Sequence, residues 1–200
     1  MKYFLVGLGN SGDEYEKTRH NSGRRAVMHV AKKFDAEFES DKKLRALTAT
    51  GRSDLPRKVG PSDVVFVLPE TMMNGSGRAV APAIKNKKDL SNLIVFYDDI
   101  DLPIGTFKIS FNRGSGGHKG LESVIRAVKS REFYRVRIGI CPTTPGGKLK
   151  KPDAKKFVDF ILGDFKPNEE KELKKVFKKI TEAMEVFTSE GPSYAMSQFN

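Results

Sequence analysis

The sequence predicts a single-domain α/β protein with a twisted, mixed and mostly parallel sheet that carries helices on both faces. Short apolar segments typical of buried strands alternate along the chain with segments whose apolar residues recur at helical spacing. Polar bends follow several of these strands directly. The 200 residues contain no internal repeat or low-complexity segment, so we predict one domain over residues 1–200.

The first half of the chain supplies three predicted strands and two helices. Residues 2–8 and 64–68 are continuous apolar runs, and residues 44–50 alternate weakly, which indicates strands. A helix begins at Ser22, because apolar residues then recur three and four positions apart. Pro56, Gly60 and Pro61 predict a loop between the second and third strands. A second helix follows Gly77 and runs through residue 88, with Pro82 tolerated only in its first turns.

The second half continues the alternation. Strands are predicted at residues 93–97, 106–111 and 134–140, and a glycine-rich loop at 112–120 precedes a helix at 121–129. A lysine-rich loop at 148–151 is followed by a short helix at 153–162. Pro167 then begins a long helix with one apolar stripe, which we assign to the core. The stripe consists of Leu173, Val176, Phe177, Ile180, Met184 and Phe187.

Composition limits the class of function. The net charge of +11 and the pI of about 9.7 favour a nucleic-acid partner, although a merely soluble basic protein has the same charge. Cys141 is the single cysteine, and with three histidines the chain offers no spaced Cys/His ligand set, so we predict neither metal nor cofactor. No apolar run is long enough to span a bilayer, and no signal peptide is evident. We therefore expect a cytoplasmic protein that does not contact membranes.

The segment after the first strand contains the pattern GxGxxG at residues 7–12, which is found in dinucleotide-binding sites. Asp13, Glu14, Glu16 and Lys17 follow it without an apolar helical face, and two carboxylates lie where a phosphate has to approach. The sequence therefore disfavours a dinucleotide site. The glycines instead allow a bend from which four polar side chains project into one crevice. These are Asn10, Tyr15, His20 and Asn21.

Polar bends near Asn10, Asn74 and Asp98 all follow apolar strands, which is where open α/β sheets bind ligands. A histidine beside an aspartate suits general-base catalysis, because the carboxylate selects the imidazole tautomer and raises its basicity. Asparagine amides suit a peptide main chain or a carbonyl under attack. Taken one at a time, the same residues are better explained as turn residues, caps and a satisfied histidine.

Taken together, these motifs resemble the bacterial-type peptidyl-tRNA hydrolase family from end to end, in family order and spacing. The matching segments are GLGNSGDEYEKTRHNSG at 7–23, PETMMNGSG at 69–77, YDDIDLPIG at 97–105, GSGGHKGL at 114–121, FYRVRIGI at 133–140 and the closing AMSQFN. The resemblance implies metal-independent hydrolysis of the ester between a peptide and the terminal ribose of tRNA. It implies peptidyl-tRNA as the partner and a monomer that needs no protein partner.

The resemblance also implies roles for individual residues. His20 is expected to activate water, Asp98 to orient His20, and Asn10 to complete the catalytic group. The residues expected to bind substrate are Tyr15, Asn21, Met73, Asn74, His118 and Lys119. Those expected to bind tRNA are Lys108, Arg113 and Arg137.

The chain departs from the family pattern at five positions, namely Ser11, Leu68, Met72, Ser110 and Lys119. Ser110 replaces a lysine that commonly contacts tRNA phosphate, and we expect Lys108 and Arg113 to compensate for it. Lys119 replaces an asparagine that acts on the substrate, and an ammonium group can only donate hydrogen bonds. The alternative function is an RNA-binding protein of the same fold that no longer hydrolyses anything.

Overall fold

The computed structural model describes residues 1–53 and 62–200, and within them seven strands form one sheet. Along the chain these are β1 (Lys2–Gly7), β2 (Glu39–Asp41), β3 (Ala46–Ser53), β4 (Ser62–Pro69), β5 (Leu93–Pro103), β6 (Phe107–Phe111) and β7 (Tyr134–Cys141). Their spatial order is β2-β3-β4-β1-β5-β7-β6. Strands β4, β1, β5 and β7 run parallel to one another. The pairs β2–β3, β3–β4 and β6–β7 are antiparallel. The prediction of a mixed, mostly parallel sheet is confirmed.

Helices connect the strands and cover the sheet. They are α1 (Ser22–Lys33), α2 (Gly77–Val80), α3 (Lys87–Ser91), α4 (Lys119–Val128), α5 (Phe157–Leu162), α6 (Pro167–Glu190) and α7 (Pro192–Phe199). Within the described part of the chain, no helix combines the length and the apolar character of a membrane span.

Two hydrophobic clusters lie on opposite faces of the sheet. Alternate residues of β1 separate between them: Tyr3 and Leu5 join one cluster, while Phe4 and Val6 join the other. The first cluster contains the buried faces of α1 and α6, including the whole stripe predicted for the long helix. The second contains residues of α2 and α4, such as Leu121. Helices on both faces are therefore confirmed.

The carboxyl end of β1 lies beside the middle of β5, because Gly7, the last residue of β1, is in register with Phe96. Helix α1 docks directly over this edge: the Arg24 amide donates to the Leu8 carbonyl at 2.8 Å. Gly23 makes this approach possible, since a Cβ there would lie 2.1 Å from the Phe96 carbonyl oxygen. The chain leaving β1 therefore turns back over β5 near Phe96.

One predicted helix is wrong, and two elements had not been predicted. The prediction of one continuous helix from 77 to 88 is wrong. This segment contains α2, a 3₁₀ turn at Ala81–Ala83 and the start of a separate helix, α3. Ile84 is extended after Pro82, and the Asn86 side chain accepts from the Asp89 amide at 2.9 Å, which begins a new helix. Strand β2 and helix α7 were not predicted. The loop expected around Pro56, Gly60 and Pro61 lies outside the described residues.

We predict that Gly23→Ala destabilises the protein by about 1–3 kcal/mol, because backbone atoms of β5 must move to admit the methyl group. The free energy of unfolding measured in urea tests this. Gly146→Ala is the matched control, since a Cβ there meets only the Thr144 hydroxyl at 3.9 Å. Equal stability of the two variants would contradict the close approach of α1 and β5.

Candidate active site

The site is centred on a histidine and an aspartate from neighbouring elements. Asp98 lies on β5 and is 5% exposed, and His20 lies in the 3₁₀ turn Arg19–Asn21 that leads into α1. His20 Nδ1 is 3.0 Å from Asp98 Oδ1 and 3.1 Å from Oδ2. Because Nδ1 faces a carboxylate, it carries the ring proton, and Nε2 is the basic nitrogen.

Electrostatics favour this arrangement. Burial lowers the pKa of His20, but the charge and hydrogen bond of Asp98 together raise it by more, so the pKa lies above the ordinary value of 6.5. Burial alone would raise the pKa of Asp98, and the two nearby imidazoles hold it well below its usual range. Asp98 is therefore ionised at neutral pH.

A second histidine contacts the same carboxylate. His118 Nε2 is 2.9 Å from Asp98 Oδ1, and the rings of His118 and His20 have centroids 5.0 Å apart. His118 is the residue that immediately precedes α4. Sequence reasoning placed His118 beside the substrate and did not predict its contact with Asp98.

A group of amides extends the site toward the end of β1. Asn10 Oδ1 accepts from the Met73 amide at 2.7 Å, so the NH₂ end of the Asn10 side chain is the end available to a substrate. Asn21 is 1% exposed, accepts from the Asn10 amide at 2.8 Å and donates to the Asn10 carbonyl at 3.0 Å. These contacts support a role for Asn21 in positioning Asn10 rather than in touching substrate.

The remaining residues expected to bind substrate lie around this group. The Met73 side chain is buried and packs against Gly120, where a Cβ would meet its sulfur at 2.4 Å. Asn74 is exposed on the same 3₁₀ turn as Met73, and Tyr15 is half-buried on the turn Asp13–Tyr15. Lys119 is exposed, and its Nζ lies 3.3 Å from Glu122 Oε2.

A cavity of about 720 Å³ lies over the His–Asp cluster. His20, Asp98 and His118 line one side, and the glycine-rich loop at 114–117 lines another. Helix α5 contributes an apolar wall that sequence reasoning missed, formed by Phe157, Val158 and Ile161. Val158 is 58% exposed, and the surrounding sequence is rich in lysine. Apolar residues within a lysine-rich segment were the feature of the sequence that could have indicated this wall.

Arg19 attaches this wall to the histidine turn. Its guanidinium donates to the carbonyls of Gly163 at 3.0 Å and Asp164 at 2.6 Å, and it pairs with Glu169 at 2.8 Å. These acceptors lie in the connection from α5 to α6 and at the start of α6. The residue before His20 therefore holds the apolar wall in place, although no local pattern in the sequence indicated this role.

The residues expected to bind tRNA lie at the edge formed by β6 and β7. Lys108 is exposed and lies directly opposite Arg137 in the register of β6 with β7. Arg137 Nε donates to Asp99 Oδ2 at 2.7 Å, and Arg113 is exposed on the loop that follows β6. Ser110 is buried two residues beyond Lys108, and its side chain projects to the same face of β6.

Among the described residues, His20, Asp98 and His118 form the one group that could hold a metal ion, with possible ligand atoms within 4.8 Å of one another. Spacing along the sequence gave no sign of this group. His20 Nδ1 and His118 Nε2 already bond to Asp98. A metal ion held by these two nitrogens would have to replace both hydrogen bonds.

The glycine bend does not have the geometry of a phosphate site. Gly12, with φ of +114°, is followed by a three-residue 3₁₀ turn instead of a long helix. The carboxylate of Glu14 lies against Gly12, where a Cβ would meet Glu14 Oε2 at 2.5 Å. This negative charge disfavours a dinucleotide phosphate, as the sequence predicts.

Residues 4–200 match the family model described as Peptidyl-tRNA hydrolase. The peptidyl-tRNA hydrolase of Lactobacillus delbrueckii subsp. bulgaricus is 36% identical over 198 residues, which cover 98% of both chains. That of Syntrophomonas wolfei is 36% identical over 197 residues, with the same coverage. The crystal structure of peptidyl-tRNA hydrolase from Acinetobacter baumannii superposes with a TM-score of 0.84 at 28% identity, covering 99% of this chain and 94% of that one.

We predict that Asp98→Asn lowers the pKa of His20 below 6.5, because the charge that raises this pKa is lost while burial remains. NMR titration of the histidine rings measures the change. His29 is an internal control, since burial, Lys32 and Lys178 already lower its pKa and none of these changes. A His20 pKa that stays above 6.5 in the variant would contradict the electrostatic assignment.

Proposed function

This chain belongs to the peptidyl-tRNA hydrolase family and hydrolyses peptidyl-tRNA, and we propose that His20 is the general base of the reaction. The observation that carries the proposal is the hydrogen bond from His20 Nδ1 to Asp98, which leaves Nε2 as the proton acceptor. Nε2 makes no hydrogen bond to any residue that the structure describes. It is therefore available to a water molecule.

The proposed reaction has two proton transfers. His20 Nε2 removes a proton from water while the water oxygen bonds to the ester carbonyl carbon, and the carbonyl oxygen becomes negatively charged. The intermediate collapses, the bond from carbon to the ribose oxygen breaks, and the imidazolium returns its proton to that oxygen. The products are a peptide with a free carboxyl group and a tRNA with a free ribose hydroxyl.

Asn10 and Asn74 are proposed to supply hydrogen bonds to the peptide main chain and to the developing oxyanion. The contact from the Met73 amide to Asn10 Oδ1 supports this role for Asn10, because it uses the amide oxygen and leaves the NH₂ group as the hydrogen-bond donor. Asn74 adjoins Met73 and is exposed. Tyr15, Met73 and Lys119 are proposed to form the surroundings of the bound substrate, with Asn21 acting through Asn10.

Lys108, Arg113 and Arg137 are proposed to bind tRNA phosphates. The cross-strand pairing of Lys108 with Arg137 supports this, because it brings two cations to one edge of the sheet. The ion pair of Arg137 with Asp99 uses Nε, and the two terminal nitrogens make no hydrogen bond within residues 1–53 and 62–200, so we propose that they bind a phosphate. A non-catalytic RNA-binding protein would need these cations but not the His20–Asp98 pair, so that alternative is not favoured.

We further propose that the protein acts in the cytoplasm, where translation produces its substrate, and that it acts as a monomer. Residues 1–200 are proposed to act as one domain.

We predict that His20→Ala lowers the rate of peptide release from purified peptidyl-tRNA by about 10²–10⁴-fold, because proton transfer is lost. The affinity for tRNA should persist, since a neutral imidazole adds no charge for the phosphates. His29→Ala is the control, because His29 bonds to Thr181 on α6, away from the cavity. Near-wild-type turnover of His20→Ala would refute the assignment of the base.

A second prediction concerns tRNA binding. Lys108→Ala, Arg113→Ala and Arg137→Ala should each flatten the plot of log affinity against log salt by about one unit, because each removes one phosphate contact. Binding measured in a His20→Ala background keeps the ester intact. Lys174→Ala is the control, since Lys174 is exposed on α6, which packs on the opposite face of the sheet from Lys108. A variant whose slope equals that of the control has lost only a bystander charge.

A further inference from the structure

The Asp98 carboxylate accepts hydrogen bonds from two imidazoles, and only one of them has a place in the reaction proposed above. Oδ1 lies 3.0 Å from His20 Nδ1 and 2.9 Å from His118 Nε2. The side chains of Asp98 and His118 are 4% and 8% exposed. A buried contact of this length between a carboxylate and a ring nitrogen restricts both side chains.

The tautomer of His118 follows from its second contact. The Leu121 amide donates to His118 Nδ1 at 3.2 Å, so His118 is the N-cap of α4. An accepting Nδ1 carries no proton, and the neutral ring must then carry its proton on Nε2, which faces Asp98. Neutral His118 thus satisfies the helix end and the carboxylate at once, whereas a protonated ring would lose the cap.

Packing fixes the orientation of the ring as well. The Tyr97 ring contacts His118 edge to face with centroids 4.9 Å apart. A Cβ on Gly120 would meet His118 Cε1 at 3.2 Å, so the first turn of α4 lies close against the ring. His118 therefore presents Nε2–H to Asp98 from a rigid support.

We propose that His118 is a positioning residue, which holds the Asp98 carboxylate in the orientation that binds His20 Nδ1–H. This inference rests on the proposed function. In this proposal, His118 acts on the reaction by orienting Asp98. This role replaces the substrate contact that the sequence analysis expected for His118. Without His118, water would replace the ring, and the carboxylate would rotate partly away from His20.

Other charged groups face the same cavity and set the background for any pH effect. They are Asp99, Asp101, Arg113, Lys119 and Arg137. Arg137 is paired with Asp99, and Lys119 with Glu122. Burial raises the pKa of Tyr97 to about 12, so Tyr97 stays neutral in the range where His20 titrates. The variants proposed below leave all of these groups unchanged.

Two substitutions separate the cap from the contact with Asp98. In His118→Asn, the amide oxygen replaces Nδ1 and still caps α4, but the side chain is too short to reach Asp98. In His118→Gln, the terminal NH₂ replaces Nε2–H and can donate to Asp98, while the cap acceptor is lost. We expect the Asn variant to keep the wild-type Tm and lose turnover. We expect the Gln variant to have a lower Tm and to recover most of the turnover.

For His118→Asn, kcat should fall by about 10- to 100-fold with little change in KM, because the misplaced group acts on the base and not on the substrate. The acid limb of the pH profile should move to lower pH, since a rotated carboxylate raises the pKa of His20 less. NMR titration of His20 should show the same movement without any turnover, and His29 should stay unchanged. Release of peptide from purified peptidyl-tRNA supplies the kinetics.

Several outcomes would overturn the inference. A raised KM with unchanged kcat in His118→Asn would make His118 a substrate contact, and activity that follows Tm across both variants would make it only a helix cap. If wild-type protein releases peptide and the Asn variant keeps its kcat and its His20 pKa, the inference fails and the proposed function stands. If wild-type protein releases no peptide, the proposed function fails, and the NMR titration still decides whether His118 positions Asp98.

Discussion

The buried carboxylate of Asp98 is the constraint around which the site is built. A charge removed from water is tolerated only when hydrogen-bond donors surround it, and two imidazoles supply them here. Those donors come from the turn before α1 and the residue before α4, which pack on opposite faces of the sheet. The carboxylate therefore connects the two faces in the middle of β5, two residues beyond the position that pairs with the end of β1. The same contacts keep it ionised and give His20 its tautomer.

Charge is distributed unevenly between the site and the rest of the surface. The chain carries a net charge of +11, yet the cavity contains Asp98, Asp99 and Asp101 beside three cations. Asp99 binds Arg137, and Asp101 binds Lys151. The cavity is thus close to neutral, and the excess of positive charge lies outside it. Such a distribution suits a polyanion that binds the surface while its neutral ester end enters the cavity.

Strands and long helices were predicted well because their signals are local. Residues 2–8 and 64–68 are mainly apolar, residues 134–140 alternate between apolar residues and arginine or glycine, and the stripe of α6 has helical spacing. The prediction failed where two local preferences compete. Between residues 77 and 91, apolar spacing favours one helix, but Pro82 and the cap at Asn86 divide it. Strand β2 has three residues and depends on β3 for its pairing, so its own sequence carries little signal.

The sequence by itself determined the alternation of strands and helices, the basic charge and the chemical types available to the site, because these depend on neighbouring residues or on composition. The tertiary structure decided which groups meet. His20 and Asp98 are 78 positions apart, and His118 joins them from 20 positions further along the chain. The inward orientation of Asn21, the apolar wall of α5 and its attachment through Arg19 likewise arise between distant segments. Hydrogen-bond partners also decide ring tautomers and amide directions, and those partners exist only after the elements have packed.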